Sequence, residues 1–183
     1  MYKRQKQEII DSGLIVDILN AKTMEDVFRL LQGCSFLGSF LAYQYTIDMN
    51  YSPYINFSEN DFVKAGIGAI RGIKKCFLCY GNKCEDAIWY VKEHFNDLQK
   101  RYGYTSFHPL LGHEPTLIDL QNCFCETDKY LRAKMPELRI GNVRIKQKYM
   151  PHTDPIQFFF PPKWNIVEMY KYKPIVVPTL FDL

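Results

Sequence analysis

The sequence has only two tryptophans and four histidines, and no apolar run long enough to cross a membrane. It has no large surplus of charge either: 23 Lys+Arg stand against 20 Asp+Glu, for a net charge of +3. That excludes a polybasic protein that coats nucleic acid. Any anionic partner must be met by local clusters, with a modest salt dependence. There is no Gly-x-x-x-x-Gly-Lys-[Ser/Thr] loop, so P-loop phosphotransfer does not reside in these residues. Internal repeats and low-complexity runs are also missing, which excludes solenoids and linker-like arrays. Nothing near the start reads as a secretory signal, so a reducing cytoplasm is expected. The six cysteines are then expected as thiols and not as disulfides.

What is present suits one domain, or two small lobes packed closely. The 183 residues are 47% hydrophobic and 15% aromatic, enough for a substantial core. A chain of this size buries roughly 70% of its unfolded surface. The 13 Tyr and 13 Phe are mostly core, although exposed rings can also stack on bases. Cys76-x2-Cys79-x4-Cys84 invites a metal reading, with a fourth ligand from Cys123, Cys125 or a histidine. Cys76 and Cys79 also lie at i, i+3 around Phe77 and Leu78, as buried helix residues would, and the expectation is no metal and no cofactor. Met1-Tyr2-Lys3-Arg4-Gln5 matches the peptide that a transposon end encodes in one frame. Those residues are read either as foreign to a chain that extends upstream or as an ordinary basic start.

Periodicity points to helices through most of the chain. Ile9, Ile10, Leu14, Ile15, Ile18 and Leu19 are helically spaced, and Gly13 divides them into two short helices. Thr23 opens the next helix as its cap, with Asp26 as the capping-box acid, and Gly33 ends it. Residues 36–48 are apolar on nearly all sides and predict a central buried helix. Gln44 and Asp48 interrupt it on one face, either as a structural pair or as the polar wall of a pocket. Tyr51-Ser52-Pro53 breaks that helix. Ser58 can cap a further helix over Glu59–Val63. Helices are also predicted over 73–79, 85–102 and 116–135, the last stopped by Pro136, and the segment 103–115 reads as loop. Residues 139–148 are basic, and six prolines between 151 and 178 make the tail extended.

Two segments carry chemistry. In Phe62 to Lys75, Gly66-Ile67-Gly68 lies between apolar stretches, with Gly72 four residues on and Lys64, Arg71, Lys74 and Lys75 around it. This is the pattern of a helix-hairpin-helix over 62–79. Glycines there let backbone amides approach a phosphate, or serve helix packing alone. In Leu117 to Glu126, Asp119, Asn122 and Glu126 follow i, i+3, i+7 and share a helix face. Asp119 among apolar neighbours suits acid/base or electrostatic work. It can equally pin the helix start, and the polar face can be plain solvent exposure.

Taken together, Phe36 to Gln44, Asp61 to Lys75, Leu117 to Glu126 and Arg144-Ile145-Lys146-Gln147-Lys148 resemble the helical domain of 5-hydroxymethyl-deoxyuridine DNA kinases. The same domain type is known as the α-glutamyl/putrescinyl thymine pyrophosphorylase family, found in phages with hypermodified pyrimidines and in bacteria that fight them. The resemblance runs from about residue 30 to 150. The sequence departs from it with Ser39 and Ile67 where prolines are expected, and with a divergent tail. Members of the family are longer at the N-terminus, which fits a truncated start.

The resemblance implies a mostly α, helix-hairpin-helix DNA-glycosylase-like domain over 6–150, with a Pro-rich tail over 151–183 packed on it. Its cellular setting would be the cytoplasm of a bacterial or phage-infected cell. The partners would be DNA carrying modified pyrimidines and a separate nucleotide or DNA kinase, with no membrane. By analogy with such glycosylases, Asp119 would stabilise an oxocarbenium-like sugar or activate water. The base would be flipped into a pocket of Tyr43, Gln44, Asp48, Gln121, Asn122 and Glu126. Lys64, Gly66, Gly68, Arg71, Lys74, Lys75, Arg144, Lys146 and Lys148 would hold the DNA backbone. Two functions are therefore open: a glycosylase-like enzyme, or a non-catalytic module that presents DNA to a kinase or transferase. Asp119 free in a cleft favours the enzyme, and Asp119 tied into a cap favours the module.

Overall fold

The computed structural model describes residues 9–35, 37–104, 113–139, 160–164 and 166. These are mostly helical, with no strand among them. Seven helices follow in order: α1 (Leu14–Asn20), α2 (Met24–Gln32), α3 (Ser39–Asn50), α4 (Ile67–Cys76), α5 (Glu85–Glu93), α6 (Phe95–Arg101) and α7 (Leu117–Lys134). Short 3-10 turns lie at Pro136–Leu138 and Pro162–Trp164.

Local chemistry sets most of the boundaries. Gly13 takes a left-handed φ of 73° and separates a short helical turn at residues 9–11 from α1. Thr23 caps α2 as expected: its Oγ1 accepts from the Asp26 amide at 3.0 Å, and the Asp26 carboxylate accepts the Thr23 amide at 3.0 Å. The helix expected over 85–102 is divided at His94, whose amide bonds the Tyr90 carbonyl while its Nδ1 lies 2.9 Å from the same oxygen. Its ring also stacks on Tyr90. Fully buried Met24, Leu31, Tyr43, Ile73, Ile88 and Leu117 join the helices in one core. Each aliphatic member contributes about 1.5–3 kcal/mol by leaving water.

The expected hairpin is not what the chain forms. No helix covers 59–63; the Ser58 hydroxyl only accepts the Asn60 amide in a turn. Burial alternates along the approach, with Val63 and Ala65 buried and Phe62 and Lys64 half-buried. The cause is Glu85, whose buried carboxylate accepts the Ala65 amide at 3.1 Å and pairs with Lys64 at 3.0 Å. An amide given to Glu85 is lost to a helical ladder. One helix, α4, then runs through the predicted turn. Gly66 is its N-cap with an ordinary φ of −74°, and Gly68 lies in its first turn. Residues 77–84 carry no helix, so Cys79 sits in a loop, and Cys76 and Cys79 are exposed, not buried on a helix.

The glycines serve packing. A Cβ on Gly72 would come within 2.0 Å of the Phe124 carbonyl oxygen, and one on Gly68 would sit on Cys125 Sγ. The backbones of α4 and α7 therefore meet without a side chain between them, as expected for Gly72. That approach brings Asp128, which is 0% exposed, onto α4. Its Oδ1 accepts from Lys75 Nζ at 2.7 Å, and its Oδ2 lies 3.3 Å from Arg71 Nε and 3.1 Å from Arg132 Nε. Burial alone would raise the Asp128 carboxyl, but Lys75, Arg132 and Arg71 hold it below the usual carboxylate range.

The joint makes Gly72 and Asp128 sensitive positions, and Gly33 serves as a control away from it. Gly72→Ala forces α4 off α7 and should lose about 1–3 kcal/mol in urea unfolding, despite the better helix propensity of alanine. Gly33→Ala, where a Cβ meets only ordinary contacts and φ is −70°, should stay within about 1 kcal/mol of the parent. A carboxyl that titrates lower in the folded chain than in the unfolded one stabilises fully above the unfolded value, near about pH 4, and loses that stabilisation as acid reaches the folded value. Asp128→Asn should therefore cost about 3–5 kcal/mol at neutral pH, by leaving Lys75 buried beside no charge, and should flatten the loss of stability below about pH 4.

Candidate functional site

The side chains that sequence reasoning assigned to a base pocket divide between core and surface. Tyr43 is 1% exposed and locked between Phe28 and Phe62, with ring centroids at 6.5 and 5.9 Å, so it offers no face to a base. Burial raises its hydroxyl well above the usual phenol range. Gln121 is also buried. Asp48, Asn122 and Glu126 lie on the surface, and Gln44 is half-buried. The residues that α3 truly buries on its polar side are Thr46 and Asn50. Asn50 bridges to the next segment by accepting the Phe57 amide at 2.8 Å and donating to its carbonyl at 3.1 Å. Glu126 pairs with Lys129, one turn on along the exposed side of α7. The i, i+3, i+7 face is thus largely a solvated one, because the apolar seam of α7 runs through Leu117, Leu120, Phe124 and the Asp128 cluster.

Asp119 engages the helix start through one of its two carboxylate oxygens. Its Oδ2 accepts both the Thr116 amide at 2.8 Å and the Thr116 hydroxyl at 2.9 Å, satisfying a donor that would otherwise be orphaned at the N-terminus of α7.

The expected backbone-contact residues also divide. Lys75 is buried on Asp128, with only 3% of its side chain exposed, and Arg71 is drawn to the same carboxylate. Neither presents a cation to solvent in the way the sequence pattern suggested, because the close approach at Gly72 places an acid beneath them. Lys74 is exposed, and Lys64 is partly exposed while paired to Glu85. Gly66 and Gly68 open α4, which has no side-chain cap. Arg144, Lys146 and Lys148 lie outside the described residues, as do residues 1–8 and most of the tail.

A cleft that sequence reasoning missed lies elsewhere. It has a volume of about 500 Å³ and is lined by Phe57, Ser58, Glu59, His113, Lys163 and Trp164. The described piece of the tail closes one side of it. Trp164 stacks on His113 with centroids 4.0 Å apart and meets Tyr51 edge-on at 5.8 Å. Its Nε1 donates to Glu59 Oε2 at 3.0 Å, and His113 Nε2 lies 3.9 Å from the same oxygen. Lys163 Nζ donates to the Phe57 carbonyl at 3.2 Å, and burial lowers its pKa against the opposing pull of Glu59. Burial, with Glu59, Asp119 and Asp48 nearby, raises the Tyr51 hydroxyl. Glu59 is itself buried, and its Oε1 has no hydrogen-bond partner among the described residues. The only signals in the sequence were one of two tryptophans inside a Pro-rich tail and a histidine in a Gly/Pro-rich loop. Neither carries a spacing pattern.

No group of three or more His, Cys, Asp or Glu side chains with metal-holding geometry occurs among the described residues, nor does a helix long and apolar enough to cross a membrane. No curated protein and no solved structure matches the chain. A family model does match, described as 5-hmdU DNA kinase, helical domain, and it covers residues 3–140. That span includes every helix from α1 to α7, the Gly72–Phe124 joint, the Asp119 cap and the Glu59 and His113 side of the cleft. On this match the chain belongs to the family of 5-hmdU DNA kinase helical domains.

Proposed function

We propose that this chain is a DNA-engaging helical module that presents DNA containing a modified pyrimidine to phosphotransfer machinery carried elsewhere, and that it does not itself cleave or transfer to the base. The family match supplies the DNA and kinase context. The missing phosphate-binding loop puts phosphotransfer outside these residues. The observation that carries the non-catalytic reading is the Thr116–Asp119 cap. The one acid that sequence analogy made catalytic has its Oδ2 taken up by two local donors.

Backbone contact on this reading falls to a smaller set than the sequence suggested. Lys74 projects from α4, and Lys64 stands beside the uncapped first turn at Gly66, where amides and the helix dipole suit a phosphate. Arg144, Lys146 and Lys148 extend this set in the proposal. The two-part organisation, a helical domain over 6–150 with the tail as a strap, belongs to the same proposal. The contacts of Lys163 and Trp164 with Phe57, Glu59 and His113 support it.

Fluorescence anisotropy with duplexes containing 5-hydroxymethyl-deoxyuridine tests the reading. Binding should weaken with salt, and Lys74→Ala should lower affinity evenly across sequences while reducing the salt slope by about one. Asp119→Ala should cost about 0.5–2 kcal/mol of stability and keep that salt-dependent affinity. Mass spectrometry of the DNA after incubation should return intact nucleosides. Free modified base or abasic sites made by the parent chain and lost in Asp119→Ala would restore the catalytic reading.

A further inference from the structure

We propose that Leu78, at the tip of the loop joining α4 to α5, is a wedge that enters a base step of bound DNA, with Lys74 and Lys83 on the flanking phosphates. The proposal rests on the reading of this chain as a DNA-engaging module. It adds the residue that distorts the duplex and the kind of step that accepts it.

Leu78 is as open to water as in an extended peptide, and no other large apolar side chain among the described residues is so exposed. Its position is nevertheless fixed from both sides. Before it, the Phe77 amide bonds the Ile73 carbonyl at 2.9 Å, and the Phe77 ring meets Phe124 at 6.0 Å and Tyr90 at 6.4 Å. After it, Tyr80 packs on the core, and the Asp86 carboxylate accepts the amides of Asn82 at 2.9 Å and Lys83 at 3.2 Å. Gly81 permits that closure: its φ is 86°, and a Cβ there would come within 2.7 Å of the Asp86 side chain. Leu78 and Cys79 stand exposed between these anchors. A leucine presented on so short a tip loses little further entropy when a partner covers it.

Charge and area decide what that partner is. Lys74, one turn before Leu78, and Lys83, at the foot of the loop, are both exposed. Burial raises the Cys84 thiol against the pull of Lys74, so that cation lies near the far end of the loop as well. The adjoining acids are engaged, Glu85 on Lys64 and the Ala65 amide, Asp86 on the loop amides. An apolar tip between cations suits a polyanion with an apolar interior, which is a stacked nucleic acid. A protein interface takes about 800 Å² per partner, and here the neighbouring Asn82 and Lys83 are polar. Burying one leucine gives about 1.5–3 kcal/mol, and opening a base step costs about a few kcal/mol. The two nearly balance at a well-stacked step, so insertion favours a step already loosened by a mismatch.

The test uses the full chain and duplexes of one length, matched or carrying a single mismatch, with 2-aminopurine beside the probed step. The mismatched duplex should bind more tightly, and binding should raise the 2-aminopurine fluorescence as the step unstacks. Leu78→Ala should unfold thermally at the parent midpoint, lose about tenfold in affinity for the mismatched duplex and abolish the fluorescence rise. Its salt slope should stay at the parent value, whereas Lys83→Ala should lower the slope by about one. Retention of the mismatch preference or of the fluorescence rise in Leu78→Ala overturns the proposal. So does a parent chain that binds both duplexes alike with no fluorescence rise, an outcome that leaves the DNA-module reading standing. Binding to phosphatidylserine vesicles that depends on Leu78, with duplex affinity unchanged by its loss, assigns the tip to a membrane surface and overturns the wedge. Absence of any salt-dependent duplex binding overturns both readings.

Discussion

The backbone contact between Gly72 on α4 and Phe124 on α7 is the constraint on which the remaining structure depends. Where two helices touch backbone to backbone, the side chains one turn either side must interlock or clash. One turn along α7, Asp128 enters the interface and finds Arg71 and Lys75 on α4 and Arg132 on its own helix. A lone buried carboxylate would be costly, but one gripped by three cations is anchored and sets the rotation of α7 about its axis. With that rotation fixed, Leu117 and Leu120 point into the core while Asn122 and Glu126 point to water.

The same contact redistributes charge. A net charge of +3 leaves few cations to spare, and the α4–α7 joint withdraws Lys75 and Arg71 from the surface. Glu85 engages Lys64 and takes the Ala65 amide as well. Nucleic-acid affinity in such a chain cannot come from a broad electrostatic field. The cations left to the surface are single ones such as Lys74, in the last turn of α4.

What could be read in the sequence was whatever is encoded within about one turn of helix. The Thr23–Asp26 capping box, the stop at Gly33, the break at Tyr51, the extent of α7 up to Pro136 and the packing role of Gly72 are all local patterns, and each appears in the structure. The hairpin was misread because Glu85, some 20 residues along the chain from Ala65, captures the amide a preceding helix would need. The period-two burial of Val63 and Ala65 was the available clue. The pairing of Arg71 and Lys75 was illegible for the same kind of reason, since the acid that holds them lies more than 50 residues away. Glu59 and Trp164 are separated by 105 residues, and no spacing rule connects them.

The Asp119 cap and the cleft are linked through the start of α7. Thr116 is held by the Asp119 carboxylate, and the preceding Pro115 carbonyl accepts from Lys92 Nζ at 2.7 Å, which ties the approach segment to α5. His113 is only three residues ahead of Thr116, so these two anchors fix where its ring can lie. That ring forms the platform for Trp164 and stands 3.9 Å from Glu59. The acid that resemblance to glycosylases placed at the reaction centre closes the first turn of α7 on Thr116. The His113 imidazole on the cleft wall stands three residues before that cap. The Asp119 charge also helps burial and Glu59 raise the hydroxyl of Tyr51, which lies edge-on to Trp164. The residue was found by its context of an acid among apolar neighbours at a helix start. That context belongs equally to a catalytic group and to a cap, and the contact with Thr116 shows the cap.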